Sequence, residues 1–353
     1  MKTTMKNLLR SSAHPMTSAR HWMAALSLLI ILLCPMFARA QTVLTNASYT
    51  ATKEMFAEFN PEFARYWKGK TGESVLFKQT HANSSTQASL VNNGLEADVV
   101  TLSVGMDIDD IASNGKLEER WKERLPQNSA PYTSTIVFLV HKGNPKAIKD
   151  WYDLVRWGIR VVMSNPKSSG GARWSHLAAW GQALRQPGAN EASARDYLKR
   201  LYANNKLLEY TARGASNTFA NLKQGDVMVS WENEAFQLIA QYPEQFQIVT
   251  PSSSIVAEPP VAVVDQVVDK RGTRKVAEAY LQYLYTPQGQ TIVGKHFYRP
   301  VDPEIAKKYS SQFAPLQLFR LESLYKDWAT AYRVHFQDGG IFDQVYDQYR
   351  NAS

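Results

Sequence analysis

The run Ser168-Ser169-Gly170-Gly171-Ala172 sets two hydroxyl residues and two adjacent glycines ahead of an apolar stretch carrying Trp174, Leu177 and Ala178. Paired glycines at a helix start cost backbone entropy, a cost tolerated where something must come close to the main chain. Three other loops share this character. Ser48-Tyr49-Thr50-Ala51-Thr52 precedes a helix from 53, and Asn83-Ser84-Ser85-Thr86 precedes one carrying Ala88, Leu90 and Val91. Ala212-Arg213-Gly214-Ala215-Ser216-Asn217 precedes one carrying Phe219 and Leu222. A helix N-terminus offers N–H groups without internal acceptors and the positive end of a dipole. Several converging on one point could hold a dehydrated oxyanion without any charged side chain. Ordinary capping by Ser, Thr, Asn and Asp accounts for any one of these loops alone. It accounts least well for the glycine pair.

Signatures of catalysis or of cofactor binding are missing. The sequence has no G-x-G-x-x-G after a strand, no G-x-x-x-x-G-K-[ST], no H-E-x-x-H and no G-x-S-x-G. His81, His141, His176, His296 and His335 lack metal-ligand spacing and read as structural or surface groups. Asp107, Asp109 and Asp110 lack the glycine and distal glutamate of a calcium loop and read as a solvated helix start. No catalytic residue, metal or cofactor is expected, and the chain does not read as an enzyme.

The elements that must position such loops alternate short β-branched runs with longer amphipathic stretches, which predicts an α/β fold with mostly parallel sheets. Strands are expected at 43–45, 75–77, 97–102, 135–140, 161–163, 226–230 and 261–264, and helices at 53–68, 172–185, 192–203, 217–223, 232–241, 273–286 and 321–335. One echo stands out. Leu90-Val91-Asn92-Asn93-Gly94-Leu95-Glu96-Ala97-Asp98-Val99 and Asn221-Leu222-Lys223-Gln224-Gly225-Asp226-Val227 each read as a helix ending at glycine before a strand opening with Asp-Val. Two similar lobes with a ligand-facing loop after the strand would produce it; so would common helix-end punctuation. The Ser- and Pro-rich segments 127–132 and 249–260 read as two connectors between lobes, making the first lobe discontinuous.

The chain has 353 residues, a formal charge of +8 and one cysteine, which suits two domains and rules out an internal disulfide. Much of the charge belongs to residues 1–40. That segment holds Lys2, Lys6, Arg10, Arg20 and Arg39 with no acid, an apolar run of 16 residues from Trp22 to Phe37, and the end Ala38-Arg39-Ala40. It reads as a secretory signal cleaved after Ala40, its apolar run being shorter than the roughly 20 residues of a membrane span. Removing it leaves 35 basic and 32 acidic residues, a net of +3, and no cysteine. A nucleic-acid partner is therefore not expected, and an exported, cysteine-free protein suits the periplasm.

The sequence also resembles a known family, the periplasmic sulfate-binding proteins of ABC importers. Asn46-Ala47-Ser48-Tyr49, Glu96-Ala97-Asp98-Val99-Val100-Thr101-Leu102 and Ala130-Pro131-Tyr132-Thr133-Ser134-Thr135 carry the likeness. So do Asn165-Pro166-Lys167-Ser168-Ser169-Gly170-Gly171-Ala172-Arg173-Trp174, Trp231-Glu232-Asn233-Glu234-Ala235, Ala257-Glu258-Pro259 and Phe297-Tyr298-Arg299-Pro300. The resemblance implies a type II periplasmic binding protein, with two α/β lobes closing over a ligand cleft. The corresponding expectation is lobe 1 at 41–132 and 256–330, lobe 2 at 133–255, and a C-terminal helical segment at 331–353. It also implies a ligand set: backbone N–H groups of Thr50, Ser84, Gly170, Gly171 and Ala212, the hydroxyl of Ser169 and the indole N–H of Trp231. Thr50 stands where well-known members carry Asp, and the loop at Ser84 is less glycine-rich than theirs. The implied partners are sulfate, with thiosulfate as the nearest alternative and molybdate as a weaker one, and an inner-membrane ABC permease with its ATPase. The implied receptor is a monomer.

Every group in that set donates a hydrogen bond and none accepts. Sulfate is fully ionised at neutral pH and satisfies all of them, whereas protonated phosphate would set a donor against donors, a mismatch costing about 1–3 kcal/mol. None of the seven groups titrates between about pH 5 and 8, which implies binding with little pH dependence.

Overall fold

The computed structural model describes residues 41–205 and 208–350. The expected leader, residues 1–40 with its cleavage point after Ala40, lies outside the described residues. The strands are β1 (Thr42–Tyr49), β2 (Val75–Ala82), β3 (Val99–Thr101), β4 (Tyr132–His141), β5 (Val161–Ser164), β6 (Leu208–Glu209), β7 (Val227–Trp231), β8 (Phe246–Val249), β9 (Ser253–Ala257), β10 (Val261–Val263), β11 (Arg299–Pro300) and β12 (Gln317–Phe319).

They form two sheets. The smaller has the order β10-β3-β1-β2, with β1 parallel to both β2 and β3 and β10 antiparallel to β3. The larger follows β12-β9-β4-β7-β5-β6, with β8 and β11 also pairing with β4. This is the expected α/β architecture, but the larger sheet is mixed: β4 runs antiparallel to β7, β8, β9 and β11. Periodicity marks Tyr132–His141 as a strand and is silent about its direction.

The central strand β1 is five residues longer than the expected 43–45 at the sheet's heart. Asn46 and Ser48 look like punctuation, yet both are fully buried with partners supplied by the fold. Asn46 accepts from the Thr101 hydroxyl at 3.2 Å, and Ser48 bonds to His81 Nδ1 at 2.7 Å. Satisfied in this way, polar side chains persist inside a core strand. On one face of this sheet Phe59 and Phe63, from the helix Lys53–Thr71, each meet Tyr280 edge-on at 5.2 Å.

The larger sheet packs on the helix Gly170–Leu184, which is buried on nearly all sides. Its Trp174 meets Trp328 edge to face at 4.6 Å. Helix starts are where sequence and structure part most. The helix expected at 217–223 is Ala212–Ala220, because the Thr211 side chain accepts from Gly214 N–H at 2.8 Å and fixes the start five residues earlier. The helix expected at 321–335 is a short 3-10 turn, Leu321–Ser323, followed by Trp328–His335, which Asp327 caps through the N–H of Thr330. After it, Ile341–Arg350 lays Phe342 against Tyr202 of the helix Glu191–Asn204. No helix among the described residues is long and apolar enough to cross a membrane.

The echo is matched in three dimensions. Gly94 and Gly225 both have left-handed backbone, with φ of 104° and 89°. The Asp98 carboxylate, just before β3, accepts from Thr45 N–H midway along β1, and that of Asp226, just before β7, accepts from Arg160 N–H just before β5. Each carboxylate also meets an arginine, Arg271 and Arg160 respectively. In both sheets an Asp thus pins the opening of a parallel strand to its neighbour.

Candidate functional site

Five of the seven expected ligand positions open helices. Thr50 opens a 3-10 turn running into the helix Lys53–Thr71, Ser84 opens Ser84–Asn92, Gly170 and Gly171 open Gly170–Leu184, and Ala212 opens Ala212–Ala220. First-turn N–H groups have no acceptor within their own helix. Ser84 and Ala212, which the sequence pattern sets ahead of their helices, are instead the first residues of them, which aims their N–H groups outward along the axes.

All five, with Ser169 and Trp231, line a single cavity of about 30 Å³. A water molecule needs roughly 10–15 Å³ by this measure, so the space suits a small compact ion rather than an organic cofactor. Tyr49, Ala51, Ala82, Asn83, Ser103 and Glu234 complete the wall. It contains no lysine, arginine or histidine.

Each group is held by named contacts. Ser169 caps its helix, accepting from Ala172 N–H at 3.4 Å, and its own hydroxyl proton is free to point elsewhere. Its loop is braced by the N–H of Asn165 on the Glu209 carbonyl at 2.8 Å and by the Ser168 hydroxyl on the Tyr210 carbonyl at 2.8 Å. Trp231, the last residue of β7, packs its ring 6.0 Å from that of Tyr49. Its indole N–H donates to the Gly171 carbonyl at 3.0 Å, so it stands at the wall already engaged with protein. A side chain on Gly171 would crowd it, an added Cβ falling 3.3 Å from Nε1.

Contacts between elements of the two sheets close over the cavity. Asn83 Nδ2 donates to the Tyr210 carbonyl at 3.2 Å, Arg213 pairs with Glu54 at 3.3 Å, and Trp174 Nε1 donates to the Ser103 carbonyl at 2.7 Å. The fourth is an ion pair, Arg173 with Asp107 at 3.1 Å, both side chains buried. This corrects the solvated helix start expected at the Asp107, Asp109 and Asp110 cluster: Asp107 is 2% exposed. Burial raises the Asp107 pKa, opposed by Arg173 and by the Ser84 hydroxyl. Asp109 instead accepts from the Trp121 indole at 2.9 Å and pairs with Lys122.

Two wall residues were missed by sequence reasoning. Glu234 lies in the first turn of the helix Glu232–Gln241, a place where acids are routine. It is nonetheless 7% exposed, and burial raises its pKa against the opposing influence of Arg213, with Glu54 adding to the rise. Ser103 follows β3 and is 2% exposed. The histidines lie elsewhere: His176 and His335 are buried 2.9 Å apart, with Tyr202 OH 2.7 Å from His176 Nδ1.

The family model for bacterial extracellular solute-binding proteins matches residues 44–299. The sulfate-binding protein of Escherichia coli K12 is 52% identical over 303 residues, 86% of this chain and 92% of that protein. The thiosulfate-binding protein of Pseudomonas aeruginosa PAO1 is 45% identical over 311 residues, 88% of this chain and 93% of that protein. Among solved structures, the sulfate-binding protein SubI from Mycobacterium tuberculosis H37Rv superposes with a TM-score of 0.76 at 30% identity, covering 84% of this chain and all of that one. The chain belongs to the bacterial extracellular solute-binding proteins, within the branch that includes the sulfate- and thiosulfate-binding proteins of ABC importers.

Proposed function

We propose that this chain is a periplasmic receptor that captures sulfate and delivers it to an inner-membrane ABC permease. One observation carries the reading: five helix-opening residues, one hydroxyl and one indole line a cavity of ion size that has no cationic side chain. In such a wall the charge of the anion is met by oriented dipoles and N–H donors, each helix end contributing about 0.3–1 kcal/mol and more when buried. Hydrogen bonds to a charged acceptor are roughly twice as strong as neutral ones. Together they offset the loss of the dianion's water. Trp231 would share its proton between the Gly171 carbonyl and the anion.

The reading extends to the hinge. Membership of β1, β2, β3 and β10 in one sheet supports a first lobe at 41–132 and 256–330, and β4 to β8 support a second at 133–255. The strands β11 and β12, which pair with β4 and β9, would form the join. The packing of Phe342 on Tyr202 supports assigning the segment 331–353 to the second lobe. Opening at this join would release the ligand to the permease. In this reading the protein is a monomer, has no cofactor and catalyses nothing.

Titration calorimetry of sulfate-stripped protein with sulfate, thiosulfate, molybdate and phosphate tests the reading. Sulfate should bind and phosphate should not. Comparable binding of phosphate would count against a ligand set of donors alone, and a clear preference for thiosulfate would move the ligand assignment within the family.

A further inference from the structure

We propose that the Ser103 hydroxyl is an additional ligand group, donating a hydrogen bond to the bound oxyanion from the loop after β3. The inference rests on the reading of the cavity as a sulfate site. Ser103 lines that cavity, is 2% exposed, and its Oγ has no hydrogen-bond partner among the described residues. A buried hydroxyl without a partner is an uncommon and unfavourable thing. An anion with acceptors on every side would supply the partner. The rest of Ser103 is fixed: its N–H donates to Ser84 Oγ at 3.1 Å and its carbonyl accepts from Trp174 Nε1 at 2.7 Å. Only the hydroxyl is uncommitted, and it faces the start of the glycine helix, 2.5 Å from where a Cβ on Gly170 would lie.

The echo between the two sheets supports this independently. Asp98 opens the approach to β3 and Asp226 the approach to β7, each pinned to a neighbouring strand and each met by an arginine. Five residues on from Asp226 is Trp231, and five on from Asp98 is Ser103. Each is followed closely by a helix, Glu232–Gln241 and Gly105–Ser113. The smaller sheet therefore presents a donor at the position from which the larger presents its indole.

The test is calorimetry with sulfate on the unsubstituted protein, Ser103→Ala and Ser103→Gly, together with the melting temperature of each without ligand. The substitutions keep the backbone contacts. Loss of a bond to a charged acceptor should raise Kd roughly ten- to hundredfold. The unliganded melting temperature should hold or rise, because a buried orphan hydroxyl has been removed. Affinity within twofold of the unsubstituted protein would overturn the proposal. So would weaker binding accompanied by a lower unliganded melting temperature in both variants, which would make Ser103 structural. Absence of sulfate binding by the unsubstituted protein would overturn the sulfate reading itself.

Discussion

Gly170 and Ser103 approach so closely that a Cβ added to the glycine would lie 2.5 Å from the serine hydroxyl, with Ser84 Cβ at 3.1 Å and Val104 Cγ2 at 3.2 Å. The glycine lies on the helix packed against the larger sheet, and the other three belong to loops and helices of the smaller one. Gly170 is thus small because two walls meet there.

Gly170→Ala should therefore weaken sulfate binding by tenfold or more, since the walls cannot close to the same distance. Gly171→Ala should do less harm, its nearest neighbour being Trp231 Nε1 at 3.3 Å. Calorimetry on both variants checks the order. In the double variant Gly170→Ala with Ser103→Ala the clash is partly relieved, so the two effects should fall short of additive. Equal losses from the two glycines would show that the close approach is not what matters.

Trp231→Phe keeps the ring against Tyr49 and removes the indole N–H. If that proton is shared with the anion, affinity should fall by about 1.5–3 kcal/mol, and the unliganded protein should lose a further 0.5–1.5 kcal/mol or so for the bond to Gly171. Calorimetry reads the first and urea unfolding the second. A loss of stability with unchanged affinity would leave the indole serving only the Gly171 carbonyl.

The ion pair between Arg173 and Asp107 makes a different prediction, because both side chains are buried. Asp107→Asn leaves the guanidinium uncompensated and should cost about 3–5 kcal/mol of stability, whereas replacing both with apolar residues of similar volume should cost much less. Chemical denaturation of the single and double variants separates them. Similar losses in both would mean that the cost is the pair's own attraction and hydrogen bonds, and not a guanidinium left buried without its counter-charge.

The particular residues show what was legible beforehand. The Ser-Ser-Gly-Gly run announced its helix start because two glycines are costly without a reason, and the apolar strands announced themselves by β-branched content. Ser103 was hidden because a lone serine after a strand carries no signal until the Asp98 and Asp226 strands are compared. Glu234 was hidden for the opposite reason: an acid in a first helical turn is so ordinary that burial is unsuspected. Asp107 was misjudged likewise, since Arg173 is 66 residues away in sequence and only the folded chain brings them together. Local pattern encodes element type and caps; long-range partners decide which polar groups are interior.

Glu234 changes what is expected of binding against pH. Burial holds its carboxyl above the ordinary 4.5, Arg213 pulling it down and Glu54 pushing it up, with Tyr298 also within electrostatic reach. In the folded protein it therefore stays protonated over a range in which an unfolded chain would ionise it. Its contribution to stability is complete below the ordinary glutamate value and is lost as pH rises through the raised one. A dianion in the same cavity favours the protonated form still more, so binding should take up a proton and affinity should fall as pH rises through that range. The fall can be at most about tenfold per pH unit, the limit for one proton. Glu234→Gln retains shape and hydrogen-bonding groups but carries no charge. It should flatten the profile and bind more tightly than the unsubstituted protein at the alkaline end. Sulfate calorimetry on both proteins from pH 5 to pH 8 decides the matter: parallel profiles would show that Glu234 does not sense the anion, and a flat profile in both would restore the pH-independent binding expected from the other seven groups.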